Sequence, residues 1–405
     1  MSLRGWLIVL ILCFATTSVV AQDNVVQPQS ASSTSTQYIP LDYLALMREF
    51  ERASRPTFWQ KLGGLISHNQ DKTEDKNLQL GGNIGVGYTQ ETEAMFVATG
   101  VAQYSLRDSL PQSYTSLTGM LSLNGSYRAR VVGNLCFSEK ESVEYNLGGG
   151  MMPVRFWGLG YEMADISQRS RYTRGNFDAS FLYRRNIAKG LTLGAGINLM
   201  YADACDVEPL AEEYLQIAGE KGRSAFLSGV TIAAEYDKRR YGKSSIRGYF
   251  LRLQGQFYPS IIGNQNNKIW NVDFSADYYQ PLWYGAIIAL DLYADMWTKS
   301  TPWMFWSKIG GDSRMRGYYY GRYTDRNMIT AQAELRQTIY GPISGVVWGG
   351  AGTLFPSYSE LDFNKVLPNY GVGIRISTSG GTSFRIDYGF GRHSNGLVIN
   401  VNEAF

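Results

Sequence analysis

His393 stands beside Ser394, and a serine next to a histidine is the pair from which a hydrolase acting on lipid could be built. The chain has one other histidine, His68, and neither has cysteine or carboxylate neighbours at metal-ligand spacing. We therefore read His393 as a loop residue, with no metal or cofactor called for. Gly242-Lys243-Ser244 ends like a phosphate-binding loop, but it lacks the upstream glycine and opens no helix. What remains is paired charge. Asp178, Asp273, Asp277, Asp291, Asp295, Glu334 and Asp387 share a face with Arg184, Arg252, Arg336, Arg375 and Arg385 when their segments are read as strands. Guanidinium opposite carboxylate makes planar, charge-assisted hydrogen bonds and does not require catalysis. The mixed signs also give no single-charge filter, so a selective ion pore is not indicated.

The elements that carry these charges have period two. Val272, Phe274, Ala276 and Tyr278 alternate with Asp273, Ser275, Asp277 and Tyr279, and Ile288, Leu290, Leu292, Ala294 and Met296 alternate with Ala289, Asp291, Tyr293 and Asp295. On a helix the aspartates would scatter; on a strand they line up. The last ten residues do the same, with Leu397, Ile399, Val401 and Phe405 on one face and Val398, Asn400, Asn402 and Ala404 on the other. One face suits lipid and the other a wet lumen. Counting such segments from 81–89 to 396–405 gives sixteen strands, each near the ten residues that a tilted membrane span requires. The expected fold is all-β, a 16-stranded antiparallel transmembrane β-barrel of roughly 100 Å circumference. Its short connections should lie on one side and the long ones, 153–172, 203–221, 299–325 and 354–367, on the other.

Composition agrees. Arg4, the apolar run Trp6 to Ala15 and the small residues ending at Ala21 read as a cleaved signal peptide over 1–21. Residues 22–79 form a separate N-terminal extension, helical or disordered, with one amphipathic helix at Leu41–Ala53; the barrel occupies 80–405. The 44 glycines, 28 tyrosines and nine tryptophans suit curved strands and interfacial girdles. Cys136 and Cys205 are too few for a disulfide scaffold, and a net charge of +3 gives no basic field for nucleic acid.

The loop Ile309-Gly310-Gly311-Asp312-Ser313-Arg314-Met315-Arg316-Gly317-Tyr318 lies between the eleventh and twelfth expected strands. With Gly310, Gly311, Arg316, Gly317 and Tyr318 it resembles the loop motif of the BamA/TamA superfamily, the bacterial surface antigen barrel, here in a short form without POTRA domains. The strand carrying Glu334 and Arg336, the Gly371-Val-Gly-Ile-Arg375 strand and the closing strand from Gly396 through Leu397, Ile399 and Val401 to Phe405 resemble the family in the same order. The chain departs from it at Gly350, where the family places an aspartate. The resemblance implies that the loop folds back into the barrel, and inward-facing Glu334 is then the remaining carboxylate partner expected for Arg316.

The resemblance further implies an outer-membrane protein that inserts or translocates other polypeptides. Its partners are then outer-membrane lipid, unfolded outer-membrane or surface protein clients and subunits of an envelope complex. Two other readings stand beside it: a non-catalytic barrel subunit of such a complex, and a passive diffusion pore. Gly81, Gly82, Gly85 and Gly87 give the first strand low propensity, which fits either a weak seam or tight curvature.

Overall fold

The computed structural model describes residues 78–405 except 108, 240–244, 261–267, 378–382 and 402. The expected signal peptide, the helix at 41–53 and Gly242-Lys243-Ser244 lie outside the described residues.

Alternating side chains build sixteen strands that close into one antiparallel barrel. They are β1 (Leu78–Thr89), β2 (Glu93–Tyr104), β3 (Ser113–Ser122), β4 (Tyr127–Cys136), β5 (Glu141–Phe156), β6 (Ser170–Ala188), β7 (Leu191–Cys205) and β8 (Ser224–Asp237). The second half comprises β9 (Gly248–Tyr258), β10 (Ile269–Pro281), β11 (Ala286–Trp297), β12 (Asn327–Tyr340), β13 (Ile343–Phe355), β14 (Leu367–Ser377), β15 (Ser383–Gly391) and β16 (Ser394–Val401). Each strand pairs with its neighbour in sequence, and β16 returns to β1.

The two faces separate as the alternation requires. Leu80, Ile84, Leu121, Ile197, Ile232, Val347 and Val372 are exposed outward, an apolar band that only hydrocarbon would cover. Asp277, Tyr279, Ala289 and Asp291 are buried inward on β10 and β11. Trp283, Tyr284 and Tyr340 stand exposed at the short-turn end, where amphipathic rings suit the membrane interface.

Two expected boundaries move. The connection 153–172 is partly strand, since β5 and β6 stay paired out to Phe156 opposite Ser170. The extension is held by aromatic packing: Phe156 meets the rings of Tyr172, Tyr214 and Trp303 at 5.5, 6.3 and 5.9 Å. Beyond it lie α1 (Tyr161–Ile166) and, in the β7–β8 connection, α2 (Pro209–Ile217), which begins with proline at its first position. The last strand, expected through 405, stops at Val401.

The loop expected between the eleventh and twelfth strands, 299–325, occupies the lumen. Within it Ser307–Lys308 pairs with Thr324–Asp325 as a short ribbon, and Trp303, Ile309, Met315, Tyr318, Tyr319 and Tyr323 are buried.

Candidate functional site

The loop reaches the wall because its backbone makes two turns open mainly to glycine. Gly310 and Gly317 have φ of 107° each, in the left-handed region. At Gly317 there is also no room: a Cβ would stand 2.6 Å from the backbone carbon of Gly389 on β15. This close approach sets Arg316 against the inner wall.

Arg316 is fully buried. Its Nη1 donates to Asp387 Oδ2 at 2.8 Å, its Nη2 donates to Glu334, and its guanidinium carbon lies 3.8 Å from the ring centroid of Trp348. The structure therefore brings Arg316 and Glu334 together and adds a carboxylate that the sequence reading assigned only to the general lumenal set. Asp387, on β15, is thus a second carboxylate for Arg316 beside Glu334. Gly373 lies opposite Asp387, and a Cβ there would fall 2.0 Å from Asp387 Oδ1, so the missing side chain leaves room for the carboxylate.

The remaining strand arginines close the network. Arg336 Nε donates to Glu334 Oε1 at 2.7 Å; Arg375 bonds Asp387 and donates its Nε to Glu403 Oε2 at 2.9 Å; Arg385 lies 3.3 Å from Asp387 and 3.5 Å from Asp312. Four guanidinium groups thus face the carboxylates Glu334, Asp387, Glu403 and Asp312, so their formal charges balance. A network closed this way tolerates burial, whereas removing one partner strands a charge. Arg314 adds a second anchor that the sequence reading missed: its Nε and Nη2 clasp Asp291 at 2.9 and 2.7 Å, with its guanidinium 4.1 Å from the Tyr293 ring centroid. Tyr318 donates its hydroxyl to the Pro368 carbonyl at 2.6 Å, while Gly311 sits at φ 106° in the preceding turn.

His393 and Ser394 serve different partners. The Ser394 hydroxyl donates to the Gly317 carbonyl at 2.7 Å, whereas His393 Nε2 lies 3.7 Å from Asp165. They do not form a nucleophile–base pair.

The wall is thinnest where it closes. β1 is in register with β2 at twelve positions and β15 with β16 at eight, but among the described residues β1 and β16 meet in register only at Tyr88 opposite Ile399. The loop bonds both flanks of this seam. Tyr320 N donates to Glu91 Oε1 at 2.6 Å on the β1–β2 turn, and Gly317 and Asp312 accept from Ser394 and Asn400 on β16. Gln90 Nε2 crosses directly to the Asn395 carbonyl at 2.7 Å. Burial pushes the Glu91 carboxyl above its usual range, against the pull of the Tyr320 N–H.

Gly396, Leu397, Ile399 and Val401 lie in β16, but Phe405, expected on its lipid face, does not: Glu403, Ala404 and Phe405 are buried within the barrel. Continuing the Tyr88–Ile399 register places Val401 opposite Val86 and Glu403 opposite Ile84, which is 67% exposed on the lipid side. A carboxylate there would face hydrocarbon, so the chain turns inward, where Arg375 and Arg336 receive it. Period two had put Glu403 on the apolar face, and that was the available signal.

A closed sixteen-stranded barrel with an apolar exterior and a lumen occupied by its own returning loop defines an outer-membrane β-barrel plugged from within. Residues 70–399 match the Omp85 superfamily domain, and the chain belongs to that superfamily, which agrees with the BamA/TamA resemblance read from the loop. Among solved structures it is similar to BamA from Haemophilus ducreyi lacking POTRA domains 1-3, with a TM-score of 0.59 and 14% identity over 81% of this chain and 71% of that one. CdiB from Escherichia coli gives 0.55 and 12% over 80% and 63%, and CdiB from Acinetobacter baumannii 0.51 and 11% over 81% and 60%. The chain thus spans less than two thirds of either CdiB. No curated protein sequence matches it.

Proposed function

We propose that this protein inserts other polypeptides into the outer membrane or passes them across it, using the junction of β1 and β16 as the working edge. The observation that carries this reading is the one-pair register at Tyr88 and Ile399. A strand edge held so briefly is a template on which an incoming strand can pair through its backbone, independent of that strand's side chains. Family membership supports the same role. The buried loop, with Trp303, Tyr318 and Tyr323 inside the lumen, argues against a wide passive pore. An outer-membrane location, which the superfamily fold supports, would place it among clients of the required kind.

The test is depletion of the protein followed by quantitative proteomics of the outer membrane. A fall in other barrel or surface proteins is expected. Unchanged abundance of every such protein would remove the proposal and leave a structural subunit of an envelope complex as the better reading.

A further inference from the structure

The segment after β16 sits in the lumen as a peptide sits in a receptor. Its aromatic end is enclosed: Phe405 packs with Tyr279 of β10 and Ala289 of β11, and the Arg336 guanidinium carbon lies 5.5 Å from the Phe405 ring centroid. Its polar groups are also recognised. Arg336 Nη2 donates to the Phe405 carbonyl oxygen at 3.2 Å, and Glu403 takes Arg375 at 2.9 Å with Arg336 at 3.8 Å. Nothing in this set is a strand ladder. The contacts are side-chain pockets contributed by β10, β11, β12 and β14, all on the far side of the closing strand from β1.

We propose that this pocket is a binding site for peptides carrying a glutamate two residues before a phenylalanine, with the chain's own Glu403–Phe405 as its resident and displaceable occupant. Three features carry the proposal. The pocket has an apolar subsite for the ring and a separate cationic subsite for the acid, which are the two elements that sequence-selective peptide recognition needs. The two arginines are already positioned by Glu334 and Asp387, so the cationic subsite is built independently of the occupant. The alternative location for the segment, along β1, would put Glu403 beside Ile84 on the lipid face, so the segment when displaced has no wall position of equal stability. Occupation of the pocket also ends β16 at Val401, which keeps the seam short. The site stands apart from the proposed export role and is tested without it.

The experiment uses the chain ending at Asn402, purified in detergent, with folding checked by resistance of the barrel to unfolding in cold dodecyl sulfate. A fluorescein-labelled peptide of sequence Val-Asn-Glu-Ala-Phe is titrated against it by fluorescence anisotropy. Saturable binding is expected, weakened at least about tenfold by Glu→Gln or Phe→Ala in the peptide. The full chain should bind at least about tenfold more weakly, because its own segment holds the pocket at high effective concentration. If the shortened chain does not fold, full-length Glu403→Gln/Phe405→Ala replaces it, with the same expectation. Absence of saturable binding to a folded shortened or substituted chain would overturn the proposal. So would binding that is indifferent to the peptide's glutamate and phenylalanine, or equal binding to the full chain.

Discussion

Arg316 and Asp387 are hydrogen-bonded at 2.8 Å across a sequence separation of 71 residues, joining the tip of the lumenal loop to the strand next to the last one. With Glu334 on the opposite flank, the guanidinium spans from β12 to β15 and lies over the Trp348 ring. One side chain therefore ties three strands of the inner wall, β12, β13 and β15, to the loop that fills it.

Replacing Arg316 by alanine leaves Glu334 and Asp387 short of a cation in a buried site, a change that typically costs about 3–5 kcal/mol. The loop should loosen, lowering the temperature at which the barrel loses its resistance to dodecyl sulfate. Conductance of the purified protein in planar bilayers should rise. Arg316→Lys keeps the charge but cannot reach both acceptors in one plane, so it should fall between the two. An R316A protein with unaltered conductance and stability would mean that the buried pair does not hold the loop.

Gly389→Ala tests the same anchor from the wall. A Cβ at that position would lie 2.5 Å from the Arg316 carbonyl oxygen, and backbone on both sides leaves no flexible atom to yield. The expected phenotype is that of Arg316→Ala although no charge has changed. Wild-type conductance from Gly389→Ala would show that the close approach is dispensable.

The seam is tested by a disulfide. Tyr88 and Ile399 are directly opposite on antiparallel strands, within the range that a disulfide spans, so Tyr88→Cys/Ile399→Cys should crosslink on oxidation. Locking it should abolish support of outer-membrane assembly in cells depleted of the native protein, and a reductant should restore it. Full activity of the oxidised, quantitatively crosslinked protein would exclude seam opening as a necessary step.

Glu91 provides a pH test. Its folded-state carboxyl is raised by burial, so the folded chain holds this proton more tightly than the unfolded chain. Its contribution is therefore most favourable below the ordinary carboxylate range and is lost as pH rises through the raised folded value. Glu91→Gln retains an acceptor for Tyr320 N–H without the charge. Thermal melts over a pH series should show the variant gaining on the native protein as pH rises to neutrality, with the difference shrinking in acid. A difference independent of pH would assign the effect to something other than this carboxyl.

Much of the wall was legible because hydrocarbon on one side and a polar lumen on the other impose the same alternation on every strand. Asp291 and Ala289 inward with Leu290 and Leu292 outward needed nothing beyond period two. The loop's position between β11 and β12 was legible as well, from its glycines and arginine. Three things were not. The pairing of Arg316 with Asp387 depends on the loop tip reaching β15, a contact across 71 residues that alternation does not encode. The paired extension of β5 and β6 depends on Trp303 from a distant loop. The inward turn of Glu403–Phe405 required weighing one acidic residue against an otherwise suitable apolar face, and the apolar count alone gave Phe405 the wrong side.

The returning loop is bonded to both margins of the closure, through Tyr320 to Glu91 and through Gly317 to Ser394. Parting those margins must shear one of the two bonds or drag the loop with a flank. The filling and the cylinder are thus one mechanical unit, as a keystone belongs to both halves of its arch, and force applied to the exposed ring of Tyr320 is felt at the joint.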